Sequence, residues 1–204
     1  SLGGSRVKSF VDFTRVVSPE PPYADLGLDA VHTLSDGRIL FSLTQPAFSQ
    51  TLGITVGRGD ILVSDGTRWR RNDELLKAFH PLDPLRDYGV DALYVWPGGE
   101  VWFSTEESVT LDGFQTLLDG DLLSDTGRVI YRNLELVGAF GPIEDAANFG
   151  LDALVVATDA VDAAKPPVIL SVSRSRGGDS TDPMERTGAI LPGRGGGRGE
   201  RSVL

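Results

Sequence analysis

Apolar and polar positions alternate in short bursts along this chain, without the sustained stripe that a long amphipathic helix would show. Residues 92–96, 100–105, 121–124 and 128–133 are rich in β-branched or aromatic side chains, the composition that suits a pleated strand. Between such bursts stand Ser35-Asp36-Gly37-Arg38 and Pro97-Gly98-Gly99-Glu100. Each supplies the glycine that a tight hairpin needs at positive φ, so a β-hairpin is predicted at both places. Residues 73–79 and 134–140 have room for about one helical turn before Pro81 and Pro142 stop them. The predicted fold class is all-β with little helix.

The same pattern recurs at a fixed spacing. Leu28-Asp29-Ala30-Val31, Val90-Asp91-Ala92-Leu93 and Leu151-Asp152-Ala153-Leu154 each follow a glycine, at separations of 62 and 61 residues. Ser42 and Ser104, each after a phenylalanine, stand thirteen residues beyond Asp29 and Asp91; the third copy has Ser171 after an insertion that includes Pro166-Pro167. Gly59-Asp60 matches Gly120-Asp121, and Gly178-Asp179 is a fainter third copy. Arg6, Arg68 and Arg128 precede the three Asp-Ala pairs by 23, 23 and 24 residues. The expectation is three units of about 61 residues, four-stranded, propeller-like or barrel-like, in which an N-terminal strand completes the last unit. They would occupy residues 1–176, ahead of a Gly/Arg-rich flexible tail at 177–204, whose composition buries too little surface to fold.

Charge and composition narrow the partners. Of 204 residues, 29 are acidic and 19 basic, giving a net charge of −10 that repels phosphate backbones, so no nucleic acid is expected. The apolar runs fall well short of the roughly 20 residues of a membrane-spanning helix. With no cysteine and two histidines, thiolate chemistry is excluded and a zinc centre of the usual ligands is disfavoured.

Gly89-Val90-Asp91-Ala92-Leu93, Val101-Trp102-Phe103-Ser104-Thr105, Val109-Thr110-Leu111-Asp112-Gly113 and Asp119-Gly120-Asp121-Leu122 resemble a bacterial repeat that reads, in outline, "DALHVLPDGRLLFST…ATLGGL…DGDLVEYD". The resemblance covers most of residues 25–155, is clearest in the second unit and decays in the third. Such repeats occur largely in uncharacterised exported proteins of propeller-like type. The resemblance therefore implies an extracellular or cell-envelope setting, and it brings no catalytic residues with it.

The repeated aspartates are the main chemical candidates. If the units meet about an axis, Asp29, Asp91 and Asp152, with Asp60 and Asp121 and the fainter Asp179, would gather hard oxygen ligands suited to Ca2+. The simpler reading has each aspartate accept backbone N–H groups and fix the turn before its strand. Glu106 and Glu107 are acidic where the first unit has Thr44-Gln45, which makes them, with His32, the candidates for a hydrolytic site; neighbours on a strand point to opposite faces, however, so the pair alone is a poor acid/base dyad. Trp96, Trp102 and Tyr94 are candidates for stacking on a glycan, against the commoner fate of strand aromatics in a core. Arg6, Arg68 and Arg128 are expected to pair with repeated aspartates. Arg58-Gly59-Asp60 spells an adhesion tripeptide, but it coincides with the repeated Gly-Asp slot.

The leading expectation is a non-enzymatic, exported β-repeat module that binds a protein or glycan and holds calcium. One alternative is a propeller-type hydrolase or lyase acting on a carbohydrate or lactone. A self-associating structural protein, hence a homo-oligomer, is the other, because an incomplete unit leaves sheet edges to cover.

Overall fold

A computed structural model describes residues 26–141, 149–157, 168–174 and 188–190. The described chain is mostly strand, in antiparallel sheets that do not close on themselves. The first sheet has the order β1 (Leu28–Thr33), β2 (Ile39–Leu43), β5 (Ile61–Val63), β6 (Arg68–Arg70), with β3 (Ala47–Ser49) and β4 (Ile54–Val56) forming a separate hairpin. A short helix α1 (Asn72–Leu76) then runs into a 3-10 turn, Lys77–Phe79. The second sheet repeats that element order: β7 (Ala92–Val95), β8 (Val101–Ser104), the hairpin of β9 (Val109–Thr110) and β10 (Thr116–Leu117), β11 (Leu122–Ser124), β12 (Arg128–Tyr131), helix α2 (Asn133–Val137) and a 3-10 turn, Gly138–Phe140. The third sheet joins β13 (Phe149–Val156), β14 (Val168–Arg174) and β15 (Gly188–Ile190). Among the described residues, no helix is long and apolar enough to cross a membrane.

Both predicted hairpins form. Gly37 and Gly99 take φ values of 85° and 92° and close the β1–β2 and β7–β8 turns. The one-turn helices also form where Pro81 and Pro142 were expected to end them. Gly188–Ile190 lies inside the stretch expected to be a flexible tail, yet it is paired with β14; Arg6, Asp179 and the N-terminal segment expected to complete the last unit lie outside the described residues.

Strand alternation explains the packing. Leu40 faces a core shared by the first two sheets, with Ile61, Leu93, Phe103 and Leu123, while its neighbour Phe41 faces a second core with Leu43, Val56 and Leu62. In β8, Phe103 joins the first of these cores and Trp102 joins a third, with Trp96, Leu122, Leu151 and Leu154. Each large apolar side chain buried this way contributes about 1.5–3 kcal/mol.

Repeated polar residues tie successive sheets together. Ser42 Oγ donates to the carbonyl of Val90 at 2.8 Å, and Ser104 Oγ donates to that of Leu151 at 2.8 Å. Asn72 Oδ1 accepts the N–H of Tyr88 at 3.0 Å, and the Asn133 amide donates to the carbonyl of Phe149. Gly59 and Gly120 lie so close to these two asparagines that a Cβ would collide with them. Through these ties the first strands β1, β7 and β13 approach one another, which positions the aspartates.

Candidate functional site

Asp29 sits in β1 where the register slips between Leu28 and Val31, and Asp152 sits at a similar slip in β13 between Leu151 and Ala153. A bulge re-aims a side chain without ending the strand. These two aspartates therefore lie within their strands, not ahead of them as the sequence pattern suggested. Asp91 precedes β7, its N–H donating to the Ser104 carbonyl at 3.3 Å.

Two of the three aspartates come together, and the third member of their group is a residue outside the set. Asp29, Asp91 and Glu106 each offer a carboxylate oxygen, and these atoms all lie within 4.8 Å of one another. Asp152 is near enough for its charge to act on both Asp29 and Asp91. Burial, then the charges of Asp29, Glu106 and Asp152, pushes the Asp91 carboxyl up to about 8. Burial pushes Glu106 up to about 7, with Asp29 adding to the rise and Arg58 opposing it. Asp29 is also raised, chiefly by burial, although hydrogen bonds from Glu106 and Asp91 hold it back. Near neutral pH these raised values favour carboxyl groups that keep or share protons. Glu106 Oε1 is buried, and beyond the carboxyl proton it can share with Asp29 no donor among the described residues reaches it. Oxygens that share one Ca2+ ion, each about 2.4 Å from it, lie no more than about 4.8 Å apart, a bound that these three atoms meet.

Arg58 sets the outer boundary of the cluster. Its guanidinium pairs with Glu106 Oε2 and, at 2.8 Å, with Glu107 Oε1; Glu107 pairs in turn with Arg86. Asp87 fixes the loop that presents Arg58, accepting the backbone N–H of Arg58 at 2.6 Å and of Gly59 at 2.8 Å. Gly89, at φ 71°, is packed so tightly against Glu106 that no side chain would fit there. Glu106 is thus fixed from both sides.

Other candidate residues have different roles. Asp60 and Asp121 do not join the cluster, because their oxygens are used at turns and helix starts. Asp60 accepts the N–H groups of Gly57 and Asn72 and pairs with Arg68 at 3.2 Å; Asp121 accepts those of Leu118 and Asn133 and pairs with Arg132 at 2.9 Å. The turn-fixing role applies to this set. Arg128, expected to meet a repeated aspartate, pairs instead with Glu100 at 2.6 Å. Glu107 is held below the usual carboxylate range by its hydrogen bond from Arg58, which leaves it poorly suited to take a proton. Trp96 and Trp102 are 1% and 0% exposed, so they belong to the core and offer no face to a sugar. Half-buried Tyr94 packs edge-on between His32, at 4.9 Å, and Trp96, at 5.1 Å. Burial lowers the pKa of His32.

The part of Asp87, and the pairing of Arg58 with Glu106 and Glu107 in place of a role in the Arg58-Gly59-Asp60 tripeptide, were not foreseen from the sequence. Asp87 had a signal, since it stands two residues before Gly89 as Asp25 stands two before Gly27. Arg58 had none, because its counterpart in the second unit is Asp119. Comparison of the chain with protein families, with curated proteins and with solved structures finds no match.

Proposed function

We propose that this protein is a non-enzymatic β-repeat binding module, propeller-like in the arrangement of its sheets, that holds a calcium ion where its first strands converge. Asp29, Asp91 and Glu106 would supply the ligands and Asp152 further negative charge. The carrying observation is the meeting of three carboxylates, from two successive sheets, within 4.8 Å. The buried Oε1 of Glu106 supports it, since a cation would satisfy that atom in place of a proton shared with Asp29. With Arg58 offsetting part of the charge, the affinity belongs in the range of extracellular modules, a Kd of about 10⁻⁴–10⁻³ M, in keeping with the exported setting that the resemblance implies. An N-terminal strand closing the third unit would complete the same reading. Bound calcium would join the first sheet to the second and so fix the surface offered to a protein or glycan.

Calcium titration by calorimetry, followed by thermal unfolding with and without the ion, tests this reading. Binding should release protons, because ligands that share them at neutral pH must give them up. The melting temperature should rise as calcium is raised through its Kd, the ion favouring the folded state by about 2.7 kcal/mol at a hundredfold excess over Kd. Absence of both heat and shift at about 10 mM, well above this Kd range, would remove calcium from the proposal.

A further inference from the structure

A second difference between the sheets lies away from the carboxylates. Lys77-Ala78-Phe79-His80-Pro81 follows α1, and Gly138-Ala139-Phe140-Gly141-Pro142 follows α2. The two phrases differ at two positions, and both are glycine in the second. Lys77 and His80 line a cavity of about 710 Å3 beside α1, within the size range of small-molecule sites. His80 and Gly141 share a left-handed backbone, with φ of 55° and 57°. Glycine adopts that conformation without steric cost and histidine does not, so the imidazole stands where stability alone would favour glycine.

The remaining lining has a definite chemical character. Leu82 and Leu85 are 57% and 87% exposed, and Pro81 and Pro84 stiffen the segment that carries them. Of the polar lining residues, Arg71 pairs with Asp73, and Glu74 Oε2 accepts the Arg71 N–H at 2.8 Å. Lys77 makes no ion pair among the described residues. Asp112, in the same lining, opposes any anion, and one with two negative charges the most.

We propose that this groove binds a small amphipathic monocarboxylate, its carboxylate on the Lys77 ammonium and the His80 imidazole N–H and its hydrocarbon body along Leu82 and Leu85. The proposal is independent of calcium, since neither Asp29, Asp91 nor Glu106 lines the cavity.

Calorimetric titration with octanoate, beside octylamine and octanol, tests it, using the full chain, the Lys77→Met variant and the His80→Gly variant. Octanoate should bind the wild type with a Kd below about 10 mM, and Lys77→Met should weaken binding about tenfold. His80→Gly should weaken binding while raising the melting temperature by a few degrees, because it removes the left-handed strain. No octanoate binding at about 10 mM overturns the proposal. Equal or tighter binding of octylamine or octanol overturns it, as does unchanged octanoate binding in both variants. A His80→Gly variant that melts higher and still binds like the wild type removes His80 from the site.

Discussion

The joint between the first and second sheets and the joint between the second and third share their scaffold and differ in their charge. Both use a serine hydroxyl on a backbone carbonyl at 2.8 Å, a buried asparagine reaching the next sheet, and a Gly-Asp pair behind that asparagine. At the first joint Arg58 reaches Glu106 and Glu107; at the equivalent place in the next copy stands Asp119. Glu106 likewise answers to Thr44 in the copy before it, where the threonine hydroxyl donates to the Leu26 carbonyl. The side chains common to these two joints hold sheets together, and Arg58 and Glu106, found at the first joint alone, change its charge. The candidate metal centre arises where the two kinds meet: repeated aspartates bring negative charge to the convergence of the strands, and the unrepeated Glu106 completes the group.

The shared scaffold should show the largest effects. Asp121→Ala leaves the N–H groups of Leu118 and Asn133 without their acceptor and frees the half-exposed Arg132 guanidinium to water, and should cost about 2–5 kcal/mol in urea unfolding, chiefly for the two unpaired N–H groups. Asp60→Ala should approach that value, less what water recovers at its partly exposed side chain. If either variant lost calcium binding while keeping wild-type stability, the division between scaffold and charge would be broken.

The charge peculiar to the first joint should appear as a pH dependence. Asp91 and Glu106 have pKa values raised from 3.8 and 4.5 to about 8 and about 7, so over that interval the folded chain binds more protons than the unfolded chain. The sign follows from linkage: stability from these groups is fully present below about pH 4 and is lost as pH rises through 7 to 8. In a chelating buffer the melting temperature should fall by several degrees between about pH 6 and pH 9, Asp91→Asn should flatten the fall, and calcium should reverse it. A flat profile for the wild type would mean that the cluster is more solvated than its burial indicates.

How much of this was legible in the sequence depends on what repetition records. The hairpins at Gly37 and Gly99 and the short helices before Pro81 and Pro142 were readable, because each follows from a local rule stated more than once in the chain. The bulges at Asp29 and Asp152 were hidden, since a register slip depends on the partner strand and leaves no local mark. Trp96 and Trp102 were candidates for display and are core, because composition does not say which face of a strand another sheet will cover. Arg58 was unreadable for a different reason: its partners lie 48 and 49 residues away and its counterpart carries the opposite charge.

The smallest effect is also the most direct comparison of the two joints. Ser42→Ala and Ser104→Ala each remove one buried hydroxyl that donates to the next sheet and leave a carbonyl, of Val90 or Leu151, without that donor. Each should cost about 1–3 kcal/mol. Ser42 Oγ also accepts the Ala30 N–H at 2.9 Å, so its loss should be the greater of the two by a fraction of that range. Calcium binding adds a finer test, because the carbonyl held by Ser42 belongs to the residue just before Asp91. Loosening it should weaken calcium binding a few-fold in Ser42→Ala and leave Ser104→Ala close to the wild type, since the carbonyl that Ser104 holds precedes Asp152, which lies outside the close group of three. Equal losses of affinity in the two variants would place Asp152 in the ion's coordination shell and make the centre more symmetric than the positions of Arg58 and Glu106 imply.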